Sequence, residues 1–304
     1  LSYSHHLPLL DINTYTAILK LSLYYCMIIS IDFGITITDT LRKTKDENLI
    51  HHMVPSGKKP DENLIKNLFD DVNFSEELDL IALTGGHHKR IGSQIDNVPV
   101  FHINEVDAIG EGGVNLAGIS KEKESIIVSA GTGTACIYAK EGNYLHCSGT
   151  GVGGGTVIGL SHLLIGTTDP KEIEELASKG FAKGADLLLE DVVSGPIGLL
   201  PPEITAVNFG RIAKYKNKAS KEDLAAGIVN LVGQTVARIA TSVAMAFKAS
   251  DIIVVGRAPS FSALKSSLEQ AAALTNFIPH FPKNAEYASA LGALLIAEKN
   301  LTKE

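Results

Sequence analysis

The chain has 304 residues and a formal charge of −7; 45% of its residues are apolar and 20% charged. That length exceeds the usual single domain and suggests two lobes with a cleft between them, and the composition supports a large core rather than disorder. The acidic balance argues against a nucleic-acid partner, which needs a basic face, although a small anionic nucleotide can still bind through backbone amides and a metal.

Residues 1–26 precede the first methionine, Met27, and are expected to be non-native sequence or a leader upstream of the natural start. No basic segment opens them and Asp11 interrupts them, which is unlike a signal peptide. No uninterrupted apolar run reaches about eighteen residues, so no membrane span is expected; residues 17–31 come nearest, broken by Lys20. Cys26, Cys136 and Cys147 have neither paired nor metal-ligand spacing, which points to a reducing cytoplasm.

Residues 27–41 are rich in β-branched side chains and are broken at Gly34, predicting two strands joined by a tight turn. Residues 43–59 should hold a third strand and a loop. Leu64, Ile65, Leu68 and Phe69 follow at helical spacing, and residues 78–84 form a buried strand ending in Gly85-Gly86. This alternation predicts a largely parallel α/β sheet. The pattern recurs at residues 125–139, where a strand, the turn Gly131-Thr132-Gly133-Thr134 and a second strand repeat the opening. Two related lobes follow, residues 27–120 and 121–304. Residues 172–189 read as helical, and Leu224, Ile228, Leu231, Ile239, Val243 and Phe247 mark one face of a long helix. Its many small residues, Gly233 and Ala240 among them, suit close packing within the chain or against a second copy.

Three apolar strands end in backbone-exposing turns, at Asp32-Phe33-Gly34-Ile35-Thr36, Gly131-Thr132-Gly133-Thr134 and Gly256-Arg257-Ala258-Pro259, as suits a polyphosphate held from several sides. Asp32 at a strand end suits Mg²⁺ through water, or serves as a turn former; Thr36 is a phosphate donor or an ordinary strand residue. The 131–134 turn is a phosphate loop or a plain hairpin. Gly149-Thr150-Gly151-Val152-Gly153-Gly154-Gly155-Thr156 runs into an apolar helix start, where free amides and the dipole favour an anion. Its GxGxxG spelling lacks the βαβ context and acid of a dinucleotide site. Glu105, after the strand-like residues 100–103, could accept a proton from a substrate hydroxyl or simply start a helix. The pairs His5-His6, His51-His52 and His87-His88 read as surface or loop residues.

Taken in order from about Met27 to Asn300, Ile31-Asp32-Phe33-Gly34, Leu83-Thr84-Gly85-Gly86, Glu105-Val106-Asp107-Ala108, the 131–134 turn, residues 149–160 and Thr205-Ala206-Val207-Asn208-Phe209-Gly210 resemble the type II pantothenate kinases. The resemblance implies a two-lobed actin-like ATPase fold, ribonuclease H-like, of the acetate and sugar kinase/Hsp70/actin type, with nucleotide in the interlobe cleft. It implies an ATP- and Mg²⁺-dependent kinase that phosphorylates pantothenate or a related pantoyl compound at the start of coenzyme A biosynthesis, acting as a homodimer joined partly through the long helix. Asp32, Gly34 and Thr36 then fall in the first phosphate loop, Gly131, Thr132, Gly133 and Thr134 in the second, and Gly153, Gly154, Gly155 and Thr156 in a further one. Gly256 falls in the adenosine turn, and Glu105 matches the catalytic base. Four positions depart from the family pattern: Ile35 replaces a glycine, Asp39 a lysine, Ala135 a serine and His146 an arginine, the last two at the pantothenate end. These departures leave open a nucleotide-binding pseudokinase or sensor, or a kinase with another acceptor such as a sugar.

Overall fold

The computed structural model describes residues 27–44, 48–57, 59–71, 78–195, 198, 200–215 and 219–301. The leader expected at residues 1–26, with Cys26 and the pair His5-His6, lies outside them. Contacts divide the chain into two compact units, with boundaries at Asn104/Glu105 and Gly292/Ala293.

In the first unit, β1 (Ile28–Phe33), β2 (Ile37–Lys43) and β3 (Leu49–Pro55) form an antiparallel meander. After α1 (Glu62–Asp71), β4 (Leu80–Gly85) pairs parallel with β1; β5 (Gln94–Ile95) and β6 (Val98–His102) complete the sheet in the order β3-β2-β1-β4-β6-β5. β1 is a central strand, which is why five of its six residues are buried. Ile29, Ile31, Ile81 and Leu83 pack with Ile65 and Leu68 of α1. The Asp61 side chain caps that helix by accepting from the Leu64 amide at 2.8 Å.

The second unit repeats the topology. It opens with α2 (Glu105–Ala117), and then β7 (Ser125–Ala130), β8 (Thr134–Lys140) and β9 (Asn143–Thr150) form another antiparallel meander. α3 (Gly154–Ile165) and α4 (Pro170–Lys179) follow. The short β10 (Leu187–Leu188) precedes α5 (Leu189–Val192) and pairs with β11 (Thr205–Val207). After α6 (Gly210–Tyr215) and α7 (Lys221–Phe247), β12 (Asp251–Val255) returns to pair parallel with β7, as β4 does with β1. α8 (Ser262–Ala273) follows, and of α9 (Ala288–Leu301) the residues to Gly292 belong to this unit and those from Ala293 to the first. The expected boundary at 120/121 and the contact boundary at 104/105 differ by α2, which packs on the second sheet through Ile109 and Val114 against Ile127, Ile137 and Val255.

The opposite face of this sheet carries the larger core, where Ile126, Val128, Ile252 and Val254 meet α7 and α8. α7 starts at Ser220, whose hydroxyl accepts from the Asp223 amide at 3.0 Å, and ends at Lys248 in the left-handed region. Its small residues serve packing within the chain: a Cβ on Gly233 would lie 2.7 Å from Ser267 of α8. α7 is the one helix among the described residues long and apolar enough to cross a membrane, and 56% of its apolar window is buried inside the fold.

The helical reading of residues 172–189 holds only to Lys179. Gly180 ends α4 in an extended conformation, φ −95° and ψ 170°, at a point where a Cβ would lie 2.0 Å from the Glu222 carbonyl oxygen, and Leu187–Leu188 are recruited into a strand by Thr205–Val207.

Candidate functional site

In the first unit, β1 carries Asp32 to its end, and Gly34, Ile35 and Thr36 make the turn into β2. Asp32 is register partner to Thr84 of β4, and the Gly86 amide donates to the Phe33 carbonyl at 2.8 Å. Gly85 adopts φ 84°, and a Cβ on it would lie 2.3 Å from Asp32 Oδ1. The Thr84-Gly85-Gly86 segment is therefore built around the Asp32 carboxylate. Ser56 fixes the turn from the other side: its hydroxyl donates to the Gly34 carbonyl at 2.7 Å, and its amide to the Thr36 carbonyl at 2.8 Å. Ile35 avoids the left-handed region and is 83% exposed, so its bulk is turned outward rather than packed into the turn. Asp39 is enclosed within the sheet and its Oδ1 lies 2.6 Å from His51 Nε2. Ser56 escaped the sequence reading, since nothing in local spacing links it to the turn it supports, and His51, expected on the surface or in a loop, instead lies in β3 against the enclosed Asp39.

In the second unit, three segments expected to hold nucleotide converge. The amides of Gly154 and Gly155 donate to the carbonyls of Gly131 and Thr132 at 2.8 and 2.9 Å, and Thr134 Oγ1 donates to the Val152 carbonyl at 2.8 Å. A Cβ on Gly153 would lie 2.8 Å from the Gly133 carbonyl carbon and oxygen. Gly256, at φ 92°, approaches the same strand end so closely that a Cβ would lie 2.6 Å from the Ala130 carbonyl oxygen. Gly153 and Gly256 are thus spent on backbone-to-backbone approach.

This convergence corrects one expectation. The helix N-terminus at Gly153–Thr156 does not present free amides: Gly153 donates to Thr156 Oγ1 at 3.2 Å, Gly154 and Gly155 to the 131–134 turn, and Thr156 to the Gly153 carbonyl at 3.0 Å. The loop braces the 131–134 turn because that turn supplies carbonyls to the donors a helix start leaves over.

Ala135 and His146 come together on one sheet face. Ala135 pairs with Gly149 and Ile137 with His146, the register shifting between Cys136 and Ile137, and a Cβ on Gly149 would lie 3.5 Å from His146 Nε2. Ile137 belongs to the core beneath α2, so this face is the one on which α2 lies. Glu105 is exposed in the first turn of α2, with Asp107 beside it; burial raises the Asp107 carboxyl above its ordinary value. Glycines set α2 close to its neighbours: a Cβ on Gly110 would lie 2.1 Å from the Tyr144 ring and one on Gly113 2.5 Å from Ile127 Cγ2. The Thr205–Gly210 block forms β11 and the start of α6, linked by Phe209 at φ 56°, and surrounds the buried Asp186. That carboxylate accepts from Thr205, Asn208, Asn230 and the Phe209 amide at 2.8 to 3.3 Å. Among the described residues no group of His, Cys, Asp and Glu is arranged to hold a metal ion by itself.

The architecture, two sheets each built as a meander plus a parallel strand, is the acetate and sugar kinase/Hsp70/actin fold. Solved structures agree: component A of (R)-2-hydroxyglutaryl-CoA dehydratase from Acidaminococcus fermentans superposes with TM-score 0.64 at 16% identity, covering 91% of this chain and 99% of that one. A ROK family glucokinase from Streptomyces griseus, in complex with glucose and AMPPNP, superposes with TM-score 0.55 at 11% identity, covering 90% and 99%. The profile of the Fumble family matches residues 120–295, and the chain belongs to that family, the type II pantothenate kinase family. The type II pantothenate kinase of Staphylococcus epidermidis (strain ATCC 12228) is 29% identical over 238 residues, 76% of this chain and 88% of that protein. That of Bacillus cereus (strain ZK) is 27% identical over 276 residues, 88% and 97%.

Proposed function

We propose that the protein is an ATP-dependent pantothenate kinase, transferring the γ-phosphoryl group of ATP to the primary hydroxyl of pantothenate or a related pantoyl compound and so opening coenzyme A biosynthesis. The observation that carries this reading is the placement of the braced 131–134 turn, the Gly256 turn, the Ala135–His146 face and the Glu105 helix within one compact unit of a member of this family.

Phosphoryl transfer asks mainly for positioning and charge stabilisation. The 131–134 turn, held by Gly153–Thr156, and the turn at Gly34 and Thr36 serve the phosphates, while Gly256 serves the adenosine. Glu105, exposed at a helix start, accepts the hydroxyl proton of the acceptor as it attacks. Ala135 and His146 meet the acceptor at its carboxylate-bearing side, where a histidine grips a carboxylate less firmly than the arginine expected there. Asp32 fits Mg²⁺, since Gly85 leaves the space its carboxylate occupies and an oxygen ligand on a fixed strand end suits that ion through water. The ion, when bound, offsets negative charge on the phosphates. The enzyme acts in the cytoplasm as a homodimer whose contact includes part of α7.

The test is phosphorylation of pantothenate and of pantetheine by purified protein with ATP and Mg²⁺. Glu105→Gln should lower kcat by about 10²- to 10⁴-fold while leaving ADP binding intact. Turnover of neither acceptor, or an unimpaired variant, contradicts the assignment.

A further inference from the structure

Tyr144, Glu111 and Lys121 form a side-chain cluster that the proposed chemistry leaves unused. Glu111, 4% exposed, lies on α2, and its carboxylate accepts from Tyr144 Oη at 2.6 Å and from Lys121 Nζ at 2.6 and 2.7 Å. A carboxylate this enclosed is tolerable only with such partners. Burial first, and then Glu111 and Asp107, push the Tyr144 hydroxyl far above its ordinary value, so it stays protonated and donates. Its ring fills the space against Gly110, where any larger residue would strike it.

Each side of this bridge also carries a residue of the proposed reaction. α2 holds Glu111 and, at its start, Glu105. β9 holds Tyr144 and His146 at alternate positions, hence on one face. The bridge therefore sets how far the base stands from the acceptor-side histidine. We infer that Tyr144 and Glu111 are positioning residues that hold Glu105 in register with the acceptor face of β9, with Lys121 completing the charge balance. This rests on the assignment of Glu105 above. Transfer between bound groups is steep in geometry: misplacement by about 1 Å can cost about 10²-fold in rate.

Y144F and E111Q keep shape; the first removes the Tyr144–Glu111 hydrogen bond and the second the carboxylate charge that Tyr144 and Lys121 share. Both should lower kcat about tenfold with KM for ATP unchanged and Tm within a few degrees of wild type. The double variant should fall no further than the lower of the two singles. In the same proteins, amide hydrogen exchange over residues 105–110 should quicken about tenfold while α7 is unaffected. Unchanged kcat, a parallel loss of kcat, ATP affinity and Tm as in general loosening, or multiplied effects in the double variant would each overturn the inference. Should wild type phosphorylate neither acceptor, the functional assignment fails by itself, and the exchange arm still decides: α2 protection equal to wild type in both variants overturns the bridge.

Discussion

Asp32 and Asp39 are direct register partners across the antiparallel β1–β2 pair, so their carboxylates lie on one face of the sheet. The family resemblance leads one to expect a lysine where Asp39 stands. The Asp39 side chain is 3% exposed and its Oδ1 meets His51 Nε2 at 2.6 Å, which tempers a like-charge pair. His51→Ala should destabilise the protein by about 1.5–3 kcal/mol, the worth of a hydrogen bond to a charged group. Urea unfolding checks this, and an unchanged midpoint contradicts it. Asp39→Lys should destabilise further rather than restore a phosphate contact, because the site is enclosed and the lysine loses His51.

Gly153 packs on the backbone of the 131–134 turn, which has no side chain to move aside. Gly153→Ala should cost about 1–3 kcal/mol and weaken ADP binding at least about tenfold by calorimetry. Gly159 of the same helix, α3, has open space around a Cβ, so Gly159→Ala should bind ADP normally and gain up to about 1 kcal/mol. Equal behaviour of the two variants would refute the bracing role.

His146→Arg tests the acceptor end. A charged, bidentate partner for a carboxylate should lower KM for pantothenate by about ten- to a hundredfold, with KM for ATP unchanged. Steady-state kinetics reads this out; an unaltered or higher KM places the carboxylate elsewhere.

Burial raises the Asp107 carboxyl above its ordinary 3.8. Its folded value exceeds its unfolded one, so the folded state holds the proton more tightly; stability rises as pH falls through the folded value and is reduced above it. Asp107→Asn should therefore be more stable than wild type near pH 7, with the advantage shrinking towards pH 4. Melting curves from pH 4 to 8 test the sign.

Features carried by consecutive residues were legible in the sequence. The turns at Gly34 and Gly131, the long helix and the repeated strand-turn-strand unit all follow from β-branched runs, glycines and helical spacing. What the sequence hid depends on pairing between distant segments. Asp39 finds His51 only because β2 and β3 align, and Gly85 needs its positive φ and empty Cβ position because Asp32 lies opposite. The Gly153–Thr156 amides looked available because their acceptors, Gly131 and Thr132, lie on another loop. Leu187–Leu188 read as helix until a partner strand appeared from residues 205–207.

The crossing of α2 and α9 removes a freedom that most buried positions keep. A Cβ on Gly112 would lie 1.8 Å from the Ala288 carbonyl oxygen, and one on Gly292 1.8 Å from that of Ala108. Each glycine is blocked by the other helix's main chain, so no compensating side-chain exchange can rescue a substitution. A side chain at either Gly112 or Gly292 can therefore be accommodated only by moving one helix away from the other, so these two positions fix how closely α2 and α9 approach.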